Sequence, residues 1–194
     1  MECLSYRDPW GYLVARGIKP VENRSWNTSF RGRIYIQVSK TFDMEGWKYI
    51  RIHPELYDLI TDKQTFDKLC VTNPNAGKII GEVDVTGCMK KFTEDIPGIH
   101  KNSIGDQQAE LEYLEKTMPE YFSPWFFGPF GLVHKNPELY RVSVPCKGRI
   151  FPHFFEPGTE VEAEIQHNKK YRATFGCLAG CDKTDEIRKC SYGD

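Results

Sequence analysis

The chain has 194 residues, of which 40% are hydrophobic and 27% are charged, and this composition fits one ordinary globular domain. It argues against the fibrous, disordered and membrane-spanning classes of protein. The formal net charge is -1, so the overall charge neither favours nor excludes a polyanionic partner, and any charge signal has to be local.

The first predicted elements are a short strand over residues 3–6 and the helix that follows it. Asp8 can cap free N–H groups at the start of a helix, and Pro9 suits the first helical position. Gly17 is a usual helix end. Three residues at helical spacing give this helix one face that packs on a core: Trp10, Leu13 and Val14.

From residue 21 the pattern changes to the alternation of extended strands. In a strand, Glu22, Arg24 and Trp26 lie on one face, so a short segment aligns an acid, a base and an indole. A second strand follows over residues 33–40, after an Arg-Gly turn. Its buried face consists of three alternate residues: Ile34, Ile36 and Val38.

The middle of the chain predicts helices and then a central strand. Apolar spacing indicates helix over residues 43–60 with a break near His53-Pro54, and a further helical piece over 64–70. A turn at 73–77 leads into an alternating strand that starts at Lys78.

The second half of the chain predicts an acidic segment followed by strands. Residues 92–120 hold seven acidic and two basic side chains and predict a loop with a solvated helix near 106–117. Strands are predicted at Trp125–His134, Tyr140–Val144 and Gly158–Ile165, separated by Pro and Gly turns. No low-complexity linker divides the chain, so a single domain is expected.

Targeting and redox signals predict the compartment. No stretch approaches the run of about 18 apolar residues that a transmembrane helix needs, and residues 1–10 lack the basic start and apolar run of a secretory signal. Seven cysteines, an odd number, are typical of reduced thiols rather than of a disulfide framework. We therefore expect a cytoplasmic or nuclear protein that contacts no membrane.

The C-terminal cysteines form the only cysteine cluster in the sequence. Cys177, Cys181 and Cys190 are separated by three and then eight residues, which matches none of the usual zinc patterns, where a close pair is completed by a second pair or by histidines. The five histidines are dispersed, and neither a phosphate loop nor a Gly-x-Ser-x-Gly elbow occurs. We therefore expect no metal and no cofactor.

A series of short motifs in order along the chain resembles the ASCH (activating signal cointegrator homology) domain. The N-terminal motif residues are Pro9-Trp10, Gly17, Lys19, Glu22, Arg24 and Arg31-Gly32. GKIIGEVDV and SPWFFGPFGLVHKNPELYRVSVPCKG look like the second half of the family, so the resemblance covers residues 3–150. It implies an α+β fold, a PUA-like mixed β-barrel with packed peripheral helices. We expect one domain over residues 1–166, with 167–194 as a C-terminal strand end and tail.

Two departures from the family limit what the resemblance implies. Many members have His-Ala-Ser where this chain has Gln37-Val38-Ser39, so an acid-base role at that histidine is excluded here. Smaller bacterial members that deacetylate an acetylated cytidine use a Thr nucleophile three residues after the Lys. The corresponding residue here is Glu22, so we expect that chemistry to be absent.

The resemblance places Lys19, Glu22 and Arg24 toward the barrel cleft, whereas spacing alone is equally compatible with surface ion pairs worth ~0–1 kcal/mol. Residues 1–40 have a local charge of +4 from seven basic and three acidic side chains, which favours a nucleotide or nucleic-acid ligand. Tryptophans could stack on bases if they are exposed. The predicted ligand-binding residues are Arg7, Lys19, Glu22, Arg24, Trp26, Arg31, Ser39 and Trp125.

Three functions are open at this point. The first is a module that binds RNA or a single modified nucleotide through this cleft. The second is a small hydrolase acting on a modified nucleoside or RNA, with Lys19 and Glu22 as catalytic proton-transfer groups. The third is a protein-interaction adaptor in transcription regulation, whose protein partners the sequence does not identify.

Overall fold

A mixed five-stranded sheet with helices on both faces makes up most of what a computed structural model of the chain describes. The described residues are 1–91, 112, 115–148 and 154–174, with only the backbone given for 171–174. The strands are β1 (Cys3–Tyr6), β2 (Val21–Arg24), β3 (Gly32–Val38), β4 (Lys78–Lys90) and β5 (Phe130–Pro145). The helices are α1 (Trp10–Ala15), α2 (Met44–Ile52), α3 (Pro54–Tyr57), α4 (Lys63–Thr72) and α5 (Thr159–Thr174), with a 3-10 turn at Pro119–Phe122.

The sheet curls into a half-barrel. Its strand order is β1-β3-β4-β5-β2, with β1 parallel to β3 and the other pairs antiparallel. The edge strands β1 and β2 lie close together: the Arg24 guanidinium on β2 donates a 2.8 Å hydrogen bond to the Ser5 carbonyl oxygen on β1. This architecture confirms the predicted α+β class and the barrel-like mixed sheet.

The predicted helix signals of the first half are confirmed. The Asp8 carboxylate accepts a 3.0 Å hydrogen bond from the Tyr12 backbone N–H at the start of α1. Gly17 follows the end of that helix with φ of +73°, in the left-handed region that favours glycine. The break at His53-Pro54 divides α2 from α3.

Both faces of the sheet are covered. On the inner face, α1 packs against Ile34, Ile36 and Val38, the buried face that the alternation predicts. On the outer face, Tyr35 is also buried, because α5 covers that side with Ile165. The strand β3 is therefore buried on both sides, although its sequence alternates.

The structure corrects two predictions in the second half. The segment predicted as strand over Gly158–Ile165 is the first half of α5. Its glutamates alternate with other residues, which is the period of a strand. However, Glu, Ala and Lys are strong helix formers. Val161 and Ile165 contact the sheet at the i, i+4 spacing of a helix. The strands predicted at Trp125–His134 and Tyr140–Val144 form one strand that begins only at Phe130.

Some predictions fall outside the described residues. Of the predicted helix near 106–117, residues 112 and 115–117 are described, and they are helical and exposed. The cysteine cluster at Cys177, Cys181 and Cys190 is not described at all. The domain boundary at residue 166 stays a prediction, although α5 continues through that position. Across the described ranges, no helix combines the length and the apolar character that crossing a membrane requires.

Candidate functional site

A buried chain of charges runs from the loop after α1 into β2. Lys19 is 1% exposed, and its ammonium donates to the Val21 carbonyl oxygen at 2.5 Å and to Glu22 Oε2 at 2.7 Å. The other carboxylate oxygen, Glu22 Oε1, lies 3.4 Å from the Arg24 guanidinium. The short stretch that the sequence singled out therefore brings its acid and both of its bases together, inside the half-barrel.

The electrostatics of this cluster keep Glu22 ionised. Burial favours the neutral carboxyl, but the nearby Lys19 and Arg24 cations outweigh it and hold the pKa of Glu22 below its ordinary value. Burial lowers the pKa of the Lys19 ammonium, and Glu22 offsets this shift only in part. A general base needs a pKa near the working pH, so these directions argue against the proton-transfer role predicted for Glu22.

Arg24 connects this cluster to β1 and to β5. Its guanidinium carbon lies 5.1 Å from the ring centroid of Tyr6, whose hydroxyl is 3.1 Å from Nε2 of His134. His134 is only 4% exposed. Arg24 Nε and His134 Nδ1 are buried and have no hydrogen-bond partner among the described residues.

The cluster carries one uncompensated positive charge. Lys19 and Arg24 share the single carboxylate of Glu22. His134 adds no charge, because burial lowers the pKa of its imidazole to about 3 and Glu22 does not restore it. Among the described residues, the site thus has a net positive charge and two buried nitrogen atoms without a hydrogen-bond partner.

The remaining predicted site residues lie elsewhere. Arg7 is exposed next to Tyr6, and the exposed Arg31 donates to the carbonyl oxygens of Thr28 and Phe30 in its own loop. The Ser39 hydroxyl donates to the Thr41 carbonyl oxygen at 3.1 Å. None of these contacts joins the Lys19, Glu22 and Arg24 cluster.

The two tryptophans predicted to stack on a ligand differ in burial. Trp26 is half-buried and packs edge-on against Phe154, with 6.0 Å between the ring centroids. Trp125 is 1% exposed and belongs to an apolar cluster beneath α2 and α4, so neither of its ring faces is open to a base. Stacking on a ligand therefore stays a prediction for Trp26, whereas the burial of Trp125 leaves it no open ring face.

The sequence analysis missed an aromatic patch, formed by the half-buried Trp10 and the exposed Tyr49 and Phe127. Phe127 is 48% and Tyr49 42% exposed, and the Phe127 ring centroid lies 6.0 Å from each of the other two. The Trp10 ring also lies 5.5 Å from the Lys19 ammonium. Asn23 on β2 orders the adjacent loop, because its side-chain oxygen accepts from the backbone N–H groups of residues 127 and 128.

No metal ligand set adjoins this cluster. In the ranges that the structure describes, no group of three or more His, Cys, Asp or Glu side chains could hold a metal ion. The predicted absence of metal at Cys177, Cys181 and Cys190 remains untested.

Comparisons with known proteins give similarities over most of the chain. A family model of the ASCH domain matches residues 4–127. Activating signal cointegrator 1 of Homo sapiens is 31% identical over 151 residues, covering 75% of this chain and 21% of that protein. The Mus musculus protein of the same name is 36% identical with the same coverage. The chain thus spans about a fifth of the length of the curated relatives it matches.

Proposed function

Because the chain belongs to the ASCH domain family, we propose that its half-barrel binds RNA or a modified nucleotide at the cleft beside Lys19, Glu22 and Arg24. The observation that carries this proposal is the charge imbalance of the cluster, in which two cations share one carboxylate. A partly buried cation without its own counter-ion is stabilised by an anionic or oxygen-rich ligand.

The two cations have different parts in this proposal. Lys19 is buried, and two of its three N–H groups donate to Val21 and Glu22, so it holds the Glu22 carboxylate in place rather than contacting the ligand. The Arg24 side chain is 15% exposed; it donates to the neutral Ser5 carbonyl oxygen, and its contact with the Glu22 carboxylate is long, at 3.4 Å. Arg24 is therefore the cation that meets the ligand.

The aromatic patch supports a single-stranded ligand. Exposed rings stack on unpaired bases, and each such stack contributes about 1–3 kcal/mol in proteins that bind single strands. Trp10 connects the patch to the charged cluster through its contact with Lys19. A base held at Arg24 would therefore have neighbouring bases within reach of exposed rings.

The experiment is a titration of fluorescently labelled single-stranded RNA at several salt concentrations, followed by fluorescence anisotropy. We expect saturable binding that weakens as salt rises, because the net positive charge of the cluster attracts the RNA backbone and salt screens this attraction. Arg24→Gln should weaken binding by about tenfold or more, since a charged hydrogen bond contributes about 1.5–3 kcal/mol.

The matched control is Lys169→Gln, which removes a cation from the outer face of the sheet and should leave RNA affinity unchanged. Circular dichroism of both variants verifies that they are folded. Absence of saturable binding at low salt, or equal binding by wild type and Arg24→Gln, would contradict the proposed function. Weak salt dependence with retained nucleoside binding would identify a pocket for an uncharged nucleoside.

A further inference from the structure

His134 is a buried polar residue that the sequence analysis did not connect to the site. It lies on β5, at the strand position next to Val133, which pairs with Val21 of β2. Its Nδ1 atom is buried without a hydrogen-bond partner among the described residues. A buried group left without a partner costs about 1–3 kcal/mol, so its presence in a native fold requires an explanation.

The hydroxyl of Tyr6 determines which nitrogen of His134 carries the proton. Tyr6 is 2% exposed, and in the part of the chain that is described its hydroxyl has one hydrogen-bonding neighbour, Nε2 of His134. A buried phenol with a single available acceptor donates to it. Donation by the phenol makes Nε2 the acceptor, and it requires the proton of the neutral imidazole to be on Nδ1.

A second donor lies beside the same phenol ring. Arg24 Nε is also buried without a partner among the described residues, and the guanidinium carbon is 5.1 Å from the Tyr6 ring centroid. The His134 and Tyr6 ring centroids are 6.0 Å apart. Arg24 and His134 thus both lie beside Tyr6, and each has one buried nitrogen, Nε and Nδ1, without a hydrogen-bond partner among the described residues.

We propose that the N–H groups of His134 and Arg24 together bind an oxygen acceptor of the nucleotide, the carbonyl oxygen of a base, so that His134 selects bases that carry a carbonyl group. A carbonyl oxygen has two lone pairs and accepts from both donors, whereas each ring nitrogen of adenine has one. Phosphate offers the same kind of acceptor. A base is favoured because both donors are buried, and a strongly hydrated phosphate would be costly to desolvate at a buried position. This inference rests on the proposed function.

The tautomer is tested first, on the unmodified protein. Side-chain ¹⁵N NMR of His134 should show a neutral ring protonated on Nδ1 in the absence of ligand. A ring protonated on Nε2, or a doubly protonated ring at neutral pH, would overturn the proposal. This measurement needs no variant and is independent of any effect on folding.

Base selection is tested with uridine, cytidine, guanosine, adenosine and inorganic phosphate as separate ligands in calorimetric titrations. The wild type should prefer uridine over adenosine by about tenfold, which corresponds to the loss of one donor–acceptor pair. Equal affinities for uridine and adenosine would overturn the proposal. Competition by phosphate at the concentrations of the nucleosides would do so as well, because it would identify phosphate as the acceptor.

A matched pair of variants separates the two nitrogens of His134. His134→Gln places an amide near the position of Nε2, where it can still accept from Tyr6, but leaves nothing at Nδ1. His134→Asn places an amide N–H near the position of Nδ1. We expect the preference for uridine to vanish in His134→Gln and to persist in part in His134→Asn. An unchanged preference in His134→Gln would contradict the proposal.

Tyr6→Phe provides a milder test should the His134 variants fail to fold. Without the phenol, the imidazole proton is free to move to Nε2, so the preference for uridine should decrease while RNA binding through Arg24 persists. A preference as strong as that of the wild type would contradict the proposal. Failure of the proposed function is a different result, in which the wild type binds neither RNA nor any nucleoside.

Discussion

The two faces of the sheet each carry a buried glutamate among cations, and the two clusters differ in how completely they are paired. On the outer face, Glu82 is 4% exposed and accepts hydrogen bonds from Arg33, Tyr140 and Lys169. On the inner face, the described partners of Glu22 are Lys19, at hydrogen-bond distance, and Arg24, at 3.4 Å.

The outer cluster is closed, because its donors are used within the protein. Arg33 Nη1, for example, donates to Asp84 Oδ1 at 2.9 Å and to the Asn136 carbonyl oxygen at 3.0 Å. The inner cluster leaves Arg24 Nε and His134 Nδ1 unpaired among the described residues. Residue types alone do not distinguish the two sites. The two sites differ in their unpaired buried donors. These donors favour the inner cluster as the binding site and the outer cluster as a structural one.

The largest expected effect is that of Glu22→Ala on stability. This change leaves the Lys19 ammonium buried without its counter-ion, and breaking a buried pair in this way destabilises a protein by about 3–5 kcal/mol. The free energy of unfolding in urea measures it. Glu82→Ala is the comparison. It should lower the free energy of unfolding by less, because Arg33 and Lys169 are about a third exposed and can turn toward water. A smaller loss for Glu22→Ala than for Glu82→Ala would contradict this ranking.

A third buried carboxylate, Asp8, extends the comparison, because no cation pairs with it in the described structure. Burial raises the pKa of Asp8 from 3.8 to about 6, despite the hydrogen bonds from Asn75 and Tyr12. The folded state therefore binds the proton more tightly than the unfolded state. The contribution of Asp8 to stability is largest below about pH 4 and is lost as the pH rises to about 6, a change of about 3 kcal/mol.

Denaturation of wild type and Asp8→Asn from pH 4 to pH 7 measures this contribution. The difference in the free energy of unfolding between the two proteins should vary with pH over that interval. Glu22 and Glu82, whose pKa values are lowered, have the opposite dependence and lose stability only at lower pH. A difference that does not vary with pH would show that Asp8 is not protonated in this range.

The smallest expected effect is that of Lys169→Gln in the outer cluster. Lys169 is 33% exposed, so its ion pair with Glu82 is partly screened and contributes about 1 kcal/mol. Hydrogen exchange should become faster in α5, which Lys169 anchors to the sheet. Altered RNA affinity in this variant would contradict the assignment of the outer cluster to structure and of the inner cluster to ligand binding.

Local patterns in the sequence predicted much of the fold. The strand of residues 33–40 and the helices of the first half have clear periodicities and end signals, and these correspond to β3, α1, α2, α3 and α4. The pattern failed at α5, where alternating glutamates satisfy the period of a strand. The helix propensity of Glu, Ala and Lys favours the observed helix, and the contact of Val161 and Ile165 with the sheet, which is tertiary, fits it as well.

The candidate site was predictable only where its residues are close in sequence. Lys19, Glu22 and Arg24 lie within six positions, and the family resemblance placed them toward the cleft, whereas His134 is a single histidine more than a hundred residues away. Its place beside Tyr6 follows from the antiparallel pairing of β5 with β2 and from the curl of the sheet. The exposure of individual aromatic side chains could not be predicted from the sequence either, since tryptophan is buried at Trp125 and half-buried at Trp10.

The half-barrel has a seam, because no backbone ladder joins the edge strands β1 and β2 in the described sheet. Arg24 crosses that seam through its bond to the Ser5 carbonyl oxygen and its contact with the Tyr6 ring. Arg24 therefore joins the two edges by a side-chain hydrogen bond from a charged group, which contributes about 1.5–3 kcal/mol, where paired strands would be joined by a backbone ladder. Under the proposed function, a ligand that accepts from Arg24 binds the same guanidinium that bridges the seam.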